Sequence, residues 1–369
     1  MAVKLVSNPP NPYLSQYSEL LGPAPAVKVE VYEETAASIL SENDSPDIPF
    51  RWSANPYRGC QHACAYCYAR PYHEYLGMGA GTDFDTKLVA KVNAAELLRK
   101  EIAADRRRRE QAETRSTKRV PVDSICFSGV TDCYQPLEAV YRLTRSCLEV
   151  CLDFRMPVSI VTKSYLIMRD AHLLASLGRA AGAVVYQSIP FSDDKLARLI
   201  EPQAPPPSRR FEAMRRLTAA GVAVGVMVAP IIPGLNDKEI PAVLRRAAES
   251  GASFAGYTAL RLPGSVESVF LERLRSALPL RAGHIESRIR EMRGGKLNDS
   301  RFGSRMTGEG EYWQSIRSLF SVSAARFGLV SGERSAGRIA PVNSPAGRIS
   351  TAPSAHPAAD SSQLRFDFS

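Results

Sequence analysis

The chain has 369 residues, 44% hydrophobic and 23% charged, which is the composition of an ordinary globular protein and excludes a mainly disordered one. Its 24 glycines and 26 prolines follow no collagen-like period. The 47 Lys and Arg residues outnumber the 38 Asp and Glu residues, and a net charge of +9 suits an anionic partner such as nucleic acid as well as it suits a merely solvated basic surface.

Residues 1–47 mix proline, serine and short acidic pieces, so we expect a loosely ordered extension before the folded domain. The beginning of the chain lacks the charged and then apolar layout of a secretory signal. No stretch approaches the roughly 20 apolar residues that span a bilayer. The sequence therefore predicts a cytoplasmic protein without membrane contact.

From residue 48 onward, short β-rich runs alternate with helical patterns, which predicts parallel strands joined by right-handed crossovers. The predicted strands are Lys87–Val92, Val122–Phe127, Val158–Thr162, Ala183–Ile189, Val222–Ala229 and Phe254–Leu260. The predicted helices are Ala94–Glu113, Leu137–Phe154, Asp170–Ala181, Asp193–Ile200, Ser208–Ala220, Asp237–Ser250, Val266–Leu278 and Tyr312–Phe327. Polar residues gather after the strand ends, so residues 48–329 should form an α/β barrel or open sheet with one site at the strand carboxyl ends.

Residues 330–369 consist mainly of Ser, Ala, Gly, Arg and Pro, and we expect a disordered tail there. The last residues, Gln363-Leu-Arg-Phe-Asp-Phe-Ser, regain apolar character. They resemble the Gln-Leu-x-Leu-Phe motif with which bacterial repair and replication proteins bind the sliding clamp. The alternative is that Leu364, Phe366 and Phe368 fold back onto the barrel.

Three of the seven cysteines, Cys60, Cys64 and Cys67, are separated by only three and two residues. A loop of this length can bring three thiolates to one inorganic centre, and three thiolates leave one iron of a 4Fe-4S cluster open to a substrate. Three alternatives remain: a zinc site with His62 as fourth ligand, a trio of buried thiols without a ligand, and a redox pair formed by the last two cysteines.

The C-x3-C-x2-C spacing, with Tyr66 before the last cysteine, resembles the signature of the radical S-adenosylmethionine (SAM) superfamily. Longer stretches resemble its spore photoproduct lyase-like branch, also described as DNA repair photolyase-like proteins, over residues 50–330, and in particular an uncharacterised bacterial subgroup. These stretches are Asn55-Pro-Tyr-Arg-Gly-Cys, Cys67-Tyr-Ala-Arg, Thr131-Asp-Cys-Tyr-Gln-Pro-Leu-Glu, Val161-Thr-Lys-Ser, Glu201-Pro, Ala229-Pro-Ile-Ile-Pro-Gly-Leu, Asp299-Ser-Arg-Phe-Gly and Gly308-Glu-Gly. The resemblance implies a partial (β/α)6 TIM-type barrel with the cluster loop at the strand carboxyl ends.

The resemblance also implies roles for single residues. Cys60, Cys64 and Cys67 become the cluster ligands, and Tyr66 lies beside the adenine of SAM. Lys163 and Ser188 contact SAM after successive strands, although Lys163 could instead be an exposed strand-end residue and Ser188 a helix cap. The turn with Ser128, Thr131 and Asp132 binds the methionine amino group, unless its residues serve only the turn itself.

The hydrogen-donor cysteine of spore photoproduct lyases has no counterpart here, because its position corresponds to Gly129 or Val130. Cys126 lies inside a predicted strand and reads as a core residue. Cys133 lies in the following turn and is the candidate catalytic thiol that faces the substrate.

These observations favour a radical SAM enzyme that abstracts a hydrogen atom, with a nucleic-acid lesion or base as the favoured target. Such an enzyme needs a one-electron reductant such as flavodoxin or ferredoxin. Radical chemistry on a protein or small metabolite is one alternative, and a non-enzymatic iron–sulfur redox sensor is another. The basic run Arg106–Arg109 is a candidate nucleic-acid contact or simply a solvated helix face.

Overall fold

The computed structural model of the chain describes residues 28–115 and 122–331. The predicted terminal motif, most of the predicted tail and the first 27 residues of the predicted extension lie outside the described residues. The strands are β1 (Glu30–Glu34), β2 (Leu40–Glu42), β3 (Trp52–Ala54), β4 (Tyr57–Arg58), β5 (Lys87–Lys91), β6 (Ile125–Phe127), β7 (Val158–Thr162), β8 (Ala183–Ser188), β9 (Ala223–Ile231), β10 (Phe254–Ala259) and β11 (Val330–Ser331).

The α-helices surround the strands along the whole described chain. They are α1 (Pro71–Glu74), α2 (Thr82–Thr86), α3 (Ala94–Arg115), α4 (Glu138–Tyr141), α5 (Leu143–Phe154), α6 (Ala171–Ala180), α7 (Asp194–Ile200), α8 (Pro207–Ala219), α9 (Ile240–Glu249), α10 (Val266–Ala277), α11 (Pro279–Glu291) and α12 (Gly310–Arg326). Of these helices, none is long and apolar enough to cross a membrane.

The main sheet has the strand order β11-β10-β9-β8-β7-β6-β3-β2. Strands β3 and β6 to β10 are six neighbouring parallel strands with helices between the later ones, whereas β2 pairs antiparallel with β3. This order is that of a partial (β/α)6 barrel, so the expected α/β barrel is confirmed. The carboxyl ends of these strands meet at one edge, where α/β barrels place their chemistry.

One predicted strand lies in a different sheet from the one expected. β5 pairs with β1 and β4 in a separate sheet of three strands, and β3 occupies the first parallel position of the main sheet. β3 has only three residues, too few to show a hydrophobic period.

The predicted helix Leu137–Phe154 is interrupted at Arg142, whose φ of 54° lies in the left-handed region. The break is stabilised by the buried carboxylate of Glu138, which accepts hydrogen bonds from the backbone amides of Thr144 and Arg145. Glu138 lies in α4 and caps α5, and the spacing of hydrophobic residues, from which one continuous helix was predicted, does not show such a cap.

Residues 28–47, expected to be loosely ordered, carry β1 and β2 and are joined to the barrel. The Glu101 side chain of α3 accepts hydrogen bonds from the backbone amides of Ile39 and Leu40, and the Ile39 side chain is buried. Strand pairing at sheet edges orders this segment although its composition is that of a linker.

The hydrophobic core lies between the main sheet and the helices. In β7, for example, Val158 and Ile160 belong to this core, whereas Ser159 points to the opposite face of the sheet. Alternation of this kind gives each strand one face for packing and one face for the barrel interior.

Candidate functional site

The three clustered cysteines lie on a tight loop between β4 and α1. The loop begins at Gly59, whose φ is 72° and where an added Cβ would approach Leu88 Cδ2 and the carbonyl oxygens of Phe84 and Lys87 to 3.0 Å. The amide of Cys60 donates to Phe84 O over 2.9 Å. Only glycine suits this entry to the loop.

Two buried arginines hold the loop from behind. Arg70 donates to Cys64 O at 2.8 Å, to the carbonyl oxygens of Ala80 and Gly81, and to the carboxylate of Asp85 at 2.8 Å. Arg273, on α10, donates to Ala63 O and to the same Asp85 carboxylate. We call Arg70, Asp85 and Arg273 the arginine clamp; sequence reasoning missed it because α10 is about 200 residues away.

The cysteine thiols are free, and their electrostatics suit a centre that binds thiolates. Burial raises the pKa of all three thiols, that of Cys64 to about 12, while the cation of Lys163 lowers the pKa of Cys64 and Arg70 lowers that of Cys67. The charges of Cys64 and Cys67 also raise the pKa of Cys60, so the three thiols are electrostatic neighbours. Thiolates so close together need a positive centre between them.

The donor chemistry therefore fits an iron–sulfur cluster. Within residues 28–115 and 122–331, no three His, Cys, Asp or Glu side chains already have the arrangement of a metal site. His62, between Cys60 and Cys64, is buried, and within the described residues neither its Nε2 nor Gln61 Oε1 has a hydrogen-bond partner, which leaves two polar atoms of the loop unsatisfied.

Tyr66 and Lys163 meet at a buried carboxylate next to the cysteine loop. The Tyr66 hydroxyl donates to Glu201, and Lys163 Nζ lies 4.0 Å from Glu201 Oε1 and 5.5 Å from the centre of the Tyr66 ring. Burial alone would raise the pKa of Glu201, but Arg210 and Lys163 outweigh burial and hold that pKa below its usual value. Of these residues, Tyr66 and Lys163 were predicted as site residues. Glu201 belongs to the stretch Glu201-Pro that resembles the family, but no role was predicted for it.

Asp132 connects the turn after β6 to the cysteine loop. Its carboxylate accepts hydrogen bonds from the Thr162 hydroxyl at 2.6 Å and the Lys163 amide at 2.8 Å, and it lies 3.3 Å from His62 Nδ1. Burial would raise the pKa of Asp132, but His62 and these hydrogen bonds outweigh burial and lower the pKa to about 2. Asp132 is therefore an anion that fixes the position of Lys163.

The other residues of this turn are held by internal contacts. Ser128, with φ at 77°, accepts a hydrogen bond from the Cys133 amide at 2.9 Å, and Thr131 donates to Tyr57 O at 3.2 Å. Ser128 and Thr131 thus form hydrogen bonds that stabilise the turn itself, and their role in SAM binding stays a prediction.

Ser188 ends β8 and donates to Ala229 O at 3.2 Å, while its own carbonyl accepts from Arg210 at 2.9 Å. The helix that follows is capped by Asp193, whose carboxylate accepts from the Leu196 amide at 2.7 Å. The cap is therefore Asp193, and the contact between Ser188 and SAM stays a prediction.

The two cysteines near the turn lie on different sides of the sheet. Cys133 is fully buried in the hydrophobic core, where its carbonyl accepts from Thr144 at 2.6 Å. Cys126 lies in β6 between Ile125 and Phe127, which belong to the core cluster, so the alternation along the strand directs its thiol to the opposite face, toward the barrel interior. The catalytic role of Cys133 stays a prediction, made for a thiol that is fully buried.

Comparisons with known proteins agree with this arrangement. The family model described as Radical SAM superfamily matches residues 54–247, more than half of the chain. An uncharacterized protein of Mycobacterium tuberculosis is 36% identical over 247 residues, which cover 66% of this chain and 68% of that protein. An uncharacterized protein of Methanocaldococcus jannaschii is 28% identical over 212 residues, 58% of this chain and 71% of that protein.

Two solved structures share the fold. Spore photoproduct lyase complexed with dinucleoside spore photoproduct has a TM-score of 0.55 and 14% identity, over 82% of this chain and 81% of that one. A mutant of the same enzyme with bound AdoMet and dinucleoside spore photoproduct has a TM-score of 0.55 and 15% identity, over 86% and 87% of the two chains. These similarities confirm the partial barrel.

Proposed function

The chain belongs to the radical SAM superfamily, and from that premise we propose that Cys60, Cys64 and Cys67 hold a 4Fe-4S cluster that works with SAM. The chain is an enzyme, and its reaction is what remains to be assigned. The observation that carries the proposal is the cysteine loop itself. It combines three free thiols, the cations of Lys163 and Arg70, which lower the pKa of Cys64 and Cys67, and the arginine clamp.

When bound, the cluster supplies the electron that cleaves SAM to methionine and a 5'-deoxyadenosyl radical. The protein's own residues bind and orient SAM. In this proposal Lys163 pairs with the methionine carboxylate and the Tyr66 ring contacts the adenine, which is supported by the burial of Tyr66 and by the 5.5 Å between its ring and Lys163 Nζ. Because Glu201 and Asp132 anchor these two residues, they are oriented before SAM arrives. The buried surroundings exclude water that would quench a radical.

We propose a nucleic-acid lesion or base as the source of the abstracted hydrogen atom. Two observations support it: the net charge of +9, and a fold shared with an enzyme whose structure was solved with a dinucleoside photoproduct. A protein or small-metabolite substrate is the second candidate, and the clustered thiols and SAM residues serve it equally well.

Two partners are part of the same proposal. A one-electron reductant such as flavodoxin or ferredoxin supplies the electron. The terminal motif from Gln363, which lies outside the described residues, binds the sliding clamp and so brings the enzyme to DNA.

The cluster assignment is tested by anaerobic reconstitution of the full chain with iron and sulfide. We expect iron and sulfide bound in a 4:4 ratio, an electron paramagnetic resonance signal after reduction, and 5'-deoxyadenosine when dithionite and SAM are added. The Cys60→Ala/Cys64→Ala/Cys67→Ala variant should lose all three, while Cys151→Ala, which removes a core thiol of α5, should keep them. A cluster that survives in the triple variant contradicts the assignment.

A further inference from the structure

Three exposed tyrosines directly follow the cysteine loop. Tyr68, Tyr72 and Tyr75 leave 45%, 49% and 65% of their surface open; Tyr72 lies in α1, Tyr75 is its C-cap, and Tyr68 lies in the turn before it. The rings of Tyr72 and Tyr75 are 6.4 Å apart, and the Tyr68 hydroxyl donates to Gly129 O at 2.7 Å. Exposed aromatic rings therefore extend from the turn after β6 out to the surface.

One arginine is coupled electrostatically to two of these tyrosines. Arg261 follows the carboxyl end of β10, and its charge interacts with the hydroxyl groups of Tyr68 and Tyr72. Its Nε is buried without a hydrogen-bond partner, and Nη1 reaches only the weak acceptor Met306 Sδ, at 3.7 Å. We call Tyr68, Tyr72, Tyr75 and Arg261 the tyrosine–arginine surface.

The nearby acidic residue does not neutralise Arg261. Asp47 forms its ion pair with Arg305 and also accepts a hydrogen bond from the Gly303 amide at 2.7 Å. Arg305 in turn adds positive charge near Arg261, and burial together with Arg305 lowers the pKa of Arg261. Among the described residues, Arg261 has no carboxylate ion pair, whereas Arg70, Arg210 and Arg273 each have one.

A half-buried guanidinium without a counter-ion, next to exposed aromatic rings, is suited to a ligand with anionic and planar parts. Nucleic acid offers both, since guanidinium groups bind phosphates and tyrosine rings stack on bases. An acidic peptide offers carboxylates to the guanidinium but no planar bases on which the tyrosine rings could stack. Duplex DNA buries its base faces, so the rings favour unpaired nucleotides.

We propose that the tyrosine–arginine surface binds single-stranded or flipped-out nucleic acid at the entrance to the barrel, with a phosphate on Arg261 and a base on Tyr72. This inference rests on the proposed function and gives it a substrate-binding surface. Tyr68, hydrogen-bonded to the turn after β6, forms the inner end of the path toward the SAM residues.

The test measures fluorescence anisotropy of a fluorescein-labelled oligothymidylate with the reconstituted full chain, without SAM. Tyr72→Ala should raise Kd about tenfold, whereas Tyr72→Phe, which keeps the ring, should bind like the wild type. Arg261→Gln should raise Kd about tenfold and reduce the slope of log K against log salt by about 0.7. Arg261→Lys should keep the salt slope because it keeps the charge.

Matched controls are Tyr32→Ala, an exposed tyrosine of β1, and Arg245→Gln, an exposed arginine of α9 paired with Glu249. Both should bind like the wild type. Wild-type protein that does not bind the oligonucleotide, or unchanged Kd in Tyr72→Ala and Arg261→Gln, overturns the inference. Displacement by polyglutamate as effective as by unlabelled oligonucleotide also overturns it and favours a protein partner.

The formation of 5'-deoxyadenosine without nucleic acid separates this inference from the proposed function. Tyr72→Ala and Arg261→Gln should cleave SAM at the wild-type rate in this uncoupled reaction. Normal cleavage with unchanged Kd refutes only the surface. Failure of the wild type to cleave SAM refutes the proposed function, while the binding measurements still decide what the surface does.

Discussion

The three tyrosines of the tyrosine–arginine surface directly follow the cysteine loop in the chain, but the two regions differ in how their charges are balanced. Behind the loop, Arg70 and Arg273 share one buried carboxylate, and the neighbouring Arg210 has its own. On the surface, Arg261 has no such partner among the described residues, and the tyrosine rings are open to solvent. The paired charges behind the cysteine loop hold it in a fixed geometry, whereas the unpaired charge of the tyrosine–arginine surface suits the binding of a ligand.

The largest effect should come from unbalancing the arginine clamp. Asp85→Asn leaves two buried guanidiniums without their shared anion, so we expect the free energy of unfolding to fall by about 3–5 kcal/mol. Urea unfolding followed by circular dichroism measures this change. Asp153→Asn, which breaks the exposed pair with Arg99, is the control and should shift the transition little. Equal shifts in the two variants would show that the clamp does not hold the loop.

A smaller effect is expected from Lys163, which we propose as a contact of the SAM carboxylate. Lys163→Ala should weaken SAM binding by about 1.5–3 kcal/mol, roughly one to two decades in Kd, and should leave the cluster intact. Isothermal titration calorimetry on the reconstituted enzyme measures the affinity. Lys195→Ala, on the exposed side of α7, should bind SAM normally. Unchanged affinity in Lys163→Ala would leave Lys163 as a structural neighbour of Glu201.

The smallest effect should come from the basic run of α3. Arg106 and Arg109 are paired with Glu110 and Asp105 within the helix, so only the middle of the run adds uncompensated charge. Arg107→Gln/Arg108→Gln should reduce the salt slope of oligonucleotide binding without a tenfold change in Kd. A loss of affinity larger than that of Arg261→Gln would move the main contact from the barrel entrance to α3.

The barrel could be predicted from sequence because its strands are β-branched runs separated by helical periods. β7 coincides with its prediction at both ends, residues 158–162. β3 was not predicted because it has only three residues. The prediction that β5 belongs to the main sheet was wrong, because the local sequence of a strand does not show which strands it pairs with. The break at Arg142 depends on a carboxylate that caps through space.

The candidate site divides in the same way. The spacing of the cysteines is a local pattern and can be read from the sequence. Tyr66, Asp132 and Lys163 lie within stretches that resemble the family and were predicted for that reason. Glu201 and Arg210 lie in α8 and the loop before it, and only the structure shows that Glu201 accepts a hydrogen bond from Tyr66 and forms an ion pair with Arg210. Arg261 belongs to no motif, and only the structure shows that, among the described residues, its guanidinium has no carboxylate ion pair and only the sulfur of Met306 as an acceptor.

In the proposed reaction, the radical formed at the cysteine loop takes a hydrogen atom from nucleic acid bound at the barrel entrance. The direct measurement is the mass of 5'-deoxyadenosine formed when the reduced, reconstituted enzyme acts on SAM with a perdeuterated oligonucleotide, both undamaged and ultraviolet-irradiated. We predict 5'-deoxyadenosine that has gained one deuterium from at least one of these substrates. Abundant 5'-deoxyadenosine without deuterium from either one would contradict nucleic acid as the hydrogen source.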